Sequence, residues 1–179
     1  SPLRTTTPQA PRWPLNPMGM RKGEHVLHPQ HGIGKIESIR ELSICGHASA
    51  VYAQLYFEHD DLTMTMLEEI LPKAVRSVIS PEEASDLLDQ LSSWNGKSTR
   101  QWKARANAHQ NALDSGNPFE YAKVLKGLVL IDSEGSLRTS DRAHFNRSLY
   151  LLTEELACAL KKSRRQVSKL IDQAVGVPL

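Results

Sequence analysis

The sequence lacks the features that define several protein classes. It holds two cysteines, Cys45 and Cys158, which lie far apart in the chain and so predict free thiols rather than a disulfide scaffold. No apolar run approaches the roughly 20 residues that span a bilayer. The proline-rich N-terminus has no continuous apolar stretch typical of a secretory signal. We therefore expect a cytoplasmic protein with no membrane partner.

Motifs for catalysis and metal binding are missing as well. There is no Walker A loop and no Gly-x-Gly-x-x-Gly fingerprint. Gly32 and Gly34 stand between two predicted strands, where glycine permits a tight turn and close strand packing. His25, His28 and His31 have no cysteine or carboxylate at ligand spacing beside them. We expect no enzymatic activity, no metal and no cofactor.

Net charge is small, at +2, but the charged side chains are unevenly distributed. Residues 1–22 carry four basic side chains and no acid, whereas residues 23–79 carry four basic and eight acidic ones. Residues 80–179 carry fourteen basic and twelve acidic side chains. An acidic front half joined to a mildly basic back half indicates two surfaces with different partners.

The front of the chain divides into a tail and a strand-rich domain. Residues 1–22 are rich in Pro and Thr and predict a disordered tail, with Met20 as a candidate native start. Residues 23–76 contain short apolar stretches separated by turn residues, which are typical of a small antiparallel barrel or sandwich. A domain of this size has a marginal core, so we expect it to lean on the rest of the chain or on a partner.

Helix start signals dominate the last domain, residues 77–179. Ser80, Asn117 and Ser163 are each followed three residues later by Glu or Gln, and proline occupies the first helical position after the first two. This spacing predicts an all-helical domain, so the whole chain is an α+β protein of two domains. The predicted helices cover residues 81–92, 99–115, 118–131, 140–162 and 164–175.

Trp102 lies in a window, residues 97–113, that contains no acid. Basic side chains around one flat ring are typical of a surface that neutralises phosphates and offers an apolar wedge to bases. The alternative is a core tryptophan on a helix whose other faces are solvated. On a helix that starts near Thr99, Trp102 lies in the first turn and shares a broad face with Arg105. The basic residues of the window are Lys97, Arg100, Lys103 and Arg105.

A second basic cluster begins at the C-terminal end of the fourth predicted helix and continues into the fifth. Cations at the C-terminus of a helix interact favourably with its dipole, so we interpret this cluster as a solvated helix end and face. Its members are Lys161, Lys162, Arg164, Arg165 and Lys169.

Four segments in order carry a family resemblance. Residues 23–39, GEHVLHPQHGIGKIESI, form a Gly-Glu pair and a Pro-x-His-Gly-x-Gly turn, and DLTMTM comes after them. Residues 102–128, WKARANAHQNALDSGNPFEYAKVLKGL, contain a tryptophan, an arginine three residues later and a Ser-Gly pair, and RTSDRAHFNRSLYLLTEELACAL comes next. Together they resemble the CarD/CdnL family of bacterial transcription regulators, although His28 stands where that family usually has tyrosine.

The resemblance implies a Tudor-like barrel that docks on the β subunit of RNA polymerase and a helical domain that contacts the minor groove of promoter DNA. It implies a non-enzymatic regulator that stabilises the open promoter complex by inserting a tryptophan at the upstream edge of the bubble. By its position before Ser115 and Gly116, that tryptophan corresponds to Trp102 and not to Trp94. We expect little sequence specificity and a monomer.

Departures from the family pattern affect both surfaces. Leu42 and Thr65 stand where some members use barrel arginines to contact polymerase, and Arg40 lies close by, so these three are the expected polymerase contacts. Asn107 replaces a basic residue of some members. The alternative function is a protein–protein adaptor with no direct DNA contact. The expected DNA contacts are Lys97, Arg100, Trp102, Lys103 and Arg105.

Overall fold

The computed structural model describes residues 20–135 and 137–179. The predicted tail, residues 1–22, lies almost entirely outside these ranges. The described chain divides into a sheet region, residues 20–77, and a helical region, residues 78–179. Neither cysteine forms a disulfide, as the sequence predicts. Within the described ranges, none of the helices is long and apolar enough to cross a membrane.

The sheet region is one antiparallel sheet in the order β4-β3-β2-β1-β5. The four longer strands lie within the strand-rich domain predicted for residues 23–76, while β5 is only two residues long and has no periodic signal. β4 and β5 lie at the two edges and do not pair with each other, so the sheet is open and the expected closed barrel is not observed. The strands are β1 (His25–His28), β2 (Gly32–Leu42), β3 (Ala50–Phe57), β4 (Leu62–Leu67) and β5 (Arg76–Ser77).

Alternation along the strands separates the two faces of the sheet. Ala53, Leu55 and Phe57 of β3 point into the core, because successive side chains of a strand point to opposite faces. Gly34 leaves room for the Phe57 ring to pack in the core, since a Cβ at residue 34 would lie 2.5 Å from a carbon of that ring. Gly32 takes a positive φ of 75°, which favours glycine at this turn. Both glycines therefore have the structural roles that their positions predict.

The helical region contains five helices of at least twelve residues, which confirms the all-helical prediction. Ser80 and Ser163 form the expected capping boxes, each exchanging hydrogen bonds with the residue three positions on. Asn117 caps its helix through Phe119, whereas Glu120 pairs with Lys123 instead. The helices are α1 (Leu71–Ala74, in the sheet region), α2 (Pro81–Ser93), α3 (Trp102–Asp114), α4 (Pro118–Glu134), α5 (Thr139–Leu160) and α6 (Arg164–Val175).

Each region has its own apolar core, and the two regions also contact each other. The sheet core contains Ile36 and Leu71, and the helical core contains Leu125 and Leu152. Arg76 of β5 bonds to the helical region through the carbonyl oxygen of Gly116 and the carboxylate of Glu155. The rings of His59 and Tyr150 lie 5.7 Å apart. The small sheet region thus packs against the helices, as its size predicts.

Candidate functional site

Trp102 is the first residue of α3 and is 41% exposed. The helix therefore begins three residues later than the predicted start near Thr99. Gln101 precedes it without a side-chain capping bond, and its carbonyl oxygen accepts the first helical hydrogen bond, from Arg105, at 2.9 Å. The exposed ring excludes the alternative in which Trp102 is buried in the core.

Two cations lie against the Trp102 ring. The Lys103 Nζ atom lies 5.5 Å from the ring centroid, and the Arg138 Cζ atom lies 5.2 Å from it. Both distances are within the range of cation–π attraction. Lys103 belongs to the predicted basic window, whereas Arg138 is the N-cap of α5 and is absent from the sequence prediction. Only the packing of α5 beside α3 brings Arg138 to the ring.

Arg105 is buried, with 7% of its surface exposed, although the sequence placed it among the DNA contacts. Its Nε donates to Oδ1 of Asp141 at 2.8 Å and its Nη2 donates to Oδ2 at 2.6 Å. Its Nη1 donates to the carbonyl oxygens of Thr99 and Arg100, both at 3.2 Å. Every guanidinium nitrogen therefore has a partner inside the protein, so this side chain holds the segment ahead of α3.

Asp141 connects the Trp102 helix to the start of α5. Its carboxylate receives the paired bonds from Arg105 and a third bond from the backbone N–H of Arg138 at 3.2 Å. The side-chain bonds from Arg105 hold the pKa of Asp141 below its ordinary value, and burial opposes that effect. The sequence shows a carboxylate at the third position of the helix, which is a common capping position. It does not show that the partner of this carboxylate lies 36 residues earlier.

Behind this pair, the loop ahead of α3 packs closely on α4. A Cβ at Gly127 would meet the Ser98 hydroxyl, so glycine here leaves room for that side chain in its present rotamer. The Ser98 hydroxyl lies 3.4 Å from Nε2 of His109, which is 7% exposed. Burial lowers the pKa of His109 to about 4, and the neighbouring His144 adds to the effect. Trp102 therefore stands on a closely packed support.

The remaining predicted DNA contacts are on the surface. Lys97, Arg100 and Lys103 are exposed, and within the described ranges none of them forms an ion pair with a carboxylate. These charges are available to an external anion. Asn107 is also exposed.

The second basic cluster is exposed as well. Lys161 ends α5 at its C-cap, as the helix-dipole interpretation predicts, and Arg164 pairs with Glu154 at 2.6 Å. All five side chains of the cluster lie on the surface.

A second candidate surface lies on the face of the sheet opposite its core. The strand register places Arg40 beside Tyr52 and Gln54 beside Thr65. Arg40, Leu42 and Thr65, the three expected polymerase contacts, line one shallow depression of about 190 Å³. Residues far apart in the sequence are thus brought together by pairing through β3. The other lining residues are Ser38, Ile44, Tyr52 and Gln54.

Comparison with known proteins matches both regions of the chain. Residues 86–172 match the family model for the CarD C-terminal domain, and residues 20–69 match the one for the CarD-like/TRCF RID domain, an RNA polymerase-interacting domain. A protein of Bacillus subtilis (strain 168) named "Putative transcription factor YdeB" is 21% identical over 145 residues, which cover 81% of this chain and 95% of that protein. The chain therefore belongs to the CarD-like family of transcription regulators.

Proposed function

We propose that this chain stabilises the open promoter complex without enzymatic activity, by docking on the RNA polymerase β subunit and inserting Trp102 at the upstream edge of the bubble. The observation that carries the proposal is an exposed Trp102 ring, held from behind by Arg105 and Asp141 and surrounded by cations with no carboxylate partner among the described residues. Large aromatic side chains are usually buried, so an exposed ring on a closely packed support indicates that the ring contacts a partner molecule.

The energetics favour the bubble edge over intact duplex. Unstacking a base step costs a few kcal/mol, and the cost is lowest where the strands are already separating. A preformed ring position adds little further ordering cost, because Arg105 already fixes the backbone just before the helix start. Lys97, Arg100 and Lys103 are placed to neutralise phosphates, which gives affinity without sequence specificity.

Arg105 has a different role in this proposal from the phosphate contact expected from the sequence. Its guanidinium is occupied by Asp141 and by two backbone carbonyl oxygens, so it positions the ring instead of binding DNA. The phosphate contacts then come from the exposed cations of the window.

The sheet region supplies the polymerase contact in this proposal. Arg40, Leu42 and Thr65 combine a charge, an apolar side chain and a hydroxyl around one depression, and Thr65 belongs to the edge strand β4. An exposed edge can accept a strand from a partner by β-augmentation. Docking on polymerase raises the effective concentration of the helical region at the promoter, which weak DNA binding alone does not provide.

We also propose a location, an oligomeric state and a domain boundary for the chain. It acts in the cytoplasm as a monomer, needs no metal or cofactor, and has its domain boundary near residues 76 and 77. This boundary fits a chain whose proposed polymerase and DNA surfaces lie in two regions, each with its own apolar core.

The Trp102→Ala variant tests the wedge. We expect the lifetime of polymerase–promoter open complexes to fall roughly tenfold, since the ring contributes on the order of 1.4 kcal/mol at the bubble edge. Dissociation is measured after a competitor challenge, with Leu130→Ala as a control because Leu130 is also an exposed apolar side chain of the helical region. Equal lifetimes for Trp102→Ala and the unmodified protein would contradict the wedge and favour the adaptor.

The Arg40→Glu variant tests the docking surface. We expect the full-length variant to lose most of its capture of the polymerase β subunit, because a reversed charge at a contact also adds repulsion. Lys35→Glu is the matched control, since Lys35 is exposed on the same strand but does not line the depression. If both variants bind like the unmodified protein, the depression is not the docking site.

A further inference from the structure

Arg138 has the geometry of a second component of the Trp102 surface. Its guanidinium carbon lies 5.2 Å from the centroid of the ring, and its side chain is exposed. It comes from the N-cap of α5, and the contact therefore joins two helix starts that are distant in sequence.

The backbone of Arg138 is fixed while its charge remains free. Its N–H donates to Oδ2 of Asp141, the carboxylate that also binds Arg105. In residues 20–135 and 137–179, no carboxylate forms an ion pair with the Arg138 guanidinium. An arginine usually finds a planar or bidentate anionic partner when one is in reach. The free edge of this guanidinium is thus available to an anion that approaches the ring.

The same carboxylate positions both partners of the stack. Asp141 holds Arg105, which fixes the segment just before Trp102, and it holds the backbone of Arg138. The two helix starts that carry the ring and the guanidinium are consequently set relative to each other before any partner binds, and little backbone freedom is lost when one does.

We infer that Arg138 orients the Trp102 ring by stacking on it and contacts a DNA phosphate beside the wedge. The inference rests on the proposed function, because the phosphate is that of the DNA into which the ring inserts. A guanidinium suits both tasks: its plane lies on an aromatic face, and its edge forms paired hydrogen bonds with phosphate oxygens. Lysine offers charge without that plane.

The experiment measures binding of the full chain to a promoter fragment with a preformed bubble. We expect Arg138→Gln to weaken binding about fivefold, from loss of one phosphate contact and of the stack, and to reduce the slope of log K against log salt by about 0.9. Arg138→Lys keeps most of the salt slope but recovers only part of the affinity.

The matched control is Arg147→Gln on the same helix. The Arg147 guanidinium carbon lies 5.8 Å from the Tyr150 ring, so the control removes the same kind of stack at a distance from Trp102. We expect it to bind DNA like the unmodified protein. An equal loss in Arg147→Gln would mean that general charge explains the effect, which would overturn the inference.

A double-mutant cycle tests whether Arg138 acts through the ring. If it orients Trp102, the losses in Trp102→Ala and Arg138→Gln are not additive, and the double variant loses less than the product of the single losses. Additive losses would overturn the positioning role. A second readout is acrylamide quenching of Trp102 fluorescence in a Trp13→Phe, Trp94→Phe background, which we expect Arg138→Gln to increase without DNA present.

The variants separate failure of the inference from failure of the proposed function. If Trp102→Ala weakens DNA binding while Arg138→Gln binds and quenches like its parent, the wedge stands and the Arg138 role is wrong. If Trp102→Ala has no effect on DNA binding, the proposed function itself is contradicted.

Discussion

Two arginine–carboxylate pairs with buried carboxylates occupy different places in this molecule, and their hydrogen bonds are satisfied to different degrees. Arg105 and Asp141 lie within the helical region and share two parallel hydrogen bonds. Arg76 and Glu155 lie between the sheet and the helices and share one bond of 2.8 Å, while the Nε of Arg76 donates to the carbonyl oxygen of Gly116. The first pair supports the Trp102 surface, and the second joins that surface to the sheet.

The pKa values of the two carboxylates are shifted in opposite directions. The side-chain bonds from Arg105 lower the pKa of Asp141, whereas burial raises the pKa of Glu155 despite the nearby charge of Arg76. Oε2 of Glu155 and Nη2 of Arg76 form no hydrogen bond of good geometry among the described residues, although the backbone of Ile79 lies near the carboxylate and the Tyr121 side chain near the guanidinium. A buried ion pair offsets its desolvation only when its remaining polar atoms are also satisfied. The pair beneath Trp102 meets that condition fully, and the pair between the regions meets it only in part.

The Arg105–Asp141 pair therefore fixes the backbone ahead of Trp102 more completely than the Arg76–Glu155 pair fixes the junction between the regions. In the proposed function, the angle between the sheet and the helices decides whether the Arg40 depression and Trp102 can reach polymerase and DNA together. An incompletely satisfied pair at that junction leaves the angle less strongly fixed than the ring.

The largest expected effect comes from removing the complete pair. Asp141→Asn leaves the buried Arg105 guanidinium without its charge partner, and we expect the free energy of unfolding to fall by about 3 kcal/mol at neutral pH. Urea unfolding measures the loss, with the exposed Asp89→Asn as a control. A loss below about 0.5 kcal/mol, typical of surface changes, would show that the pair does not stabilise the helix starts.

A smaller loss is expected at the junction between the regions. Arg76→Met removes the charge partner of Glu155, which can then protonate, so we expect a loss of about 2 kcal/mol and faster hydrogen exchange at β5. Arg164→Met is the matched control: it breaks an exposed Arg–Glu pair, worth at most about 1 kcal/mol. If both variants lose the same stability, the junction pair is no stronger than a surface pair.

The pH dependence of stability has opposite signs at the two carboxylates. The contribution of Asp141 is present above its ordinary pKa of 3.8 and is lost as the pH falls through its lowered value in the folded state. The contribution of Glu155 is present below its ordinary pKa of 4.5 and is lost as the pH rises through its raised folded value. The free energy of unfolding of Glu155→Gln should therefore rise relative to that of the unmodified protein as the pH rises through that window. Urea unfolding at a series of pH values measures this difference, and a constant difference would contradict the raised pKa.

The smallest expected effect is a titration shift at His109. Its pKa of about 4 results from burial and from His144, while the Asp141 carboxylate opposes them. In Asp141→Asn we expect the pKa to fall by about half a unit more, measured by NMR titration of the ring protons. Glu155→Gln should leave the His109 titration unchanged. A shift in both variants would mean that the two pairs are coupled through the helices.

Local signals in the sequence predicted most of the elements. Ser80 and Ser163 specify helix starts through bonds to residues three positions away, which need no tertiary partner. The start of α3 was misplaced, because no side-chain cap marks Gln101. β5 was missed because it is a strand only through its pairing with β1.

The sequence predicted some residues of the candidate surfaces and missed others. The basic window by itself left both a buried and an exposed Trp102 open, and the family resemblance selected the exposed ring and named three sheet residues that share one depression. The role of Arg105 could not be read from the window, because a helix face does not reveal what packs on it. Asp141 and Arg138 were missed for the same reason, since their partners are distant in sequence.

By itself the sequence determined the strand-then-helix order, the capped helices and a tryptophan among cations, because each depends on residues near one another in the chain. Tertiary structure decided which of those cations stay free. The packing of α5 beside α3 buried Arg105 against Asp141 and brought Arg138 to Trp102. A charge pattern fixes only which residues can carry phosphate contacts, whereas desolvation and a carboxylate partner decide which of them remain available.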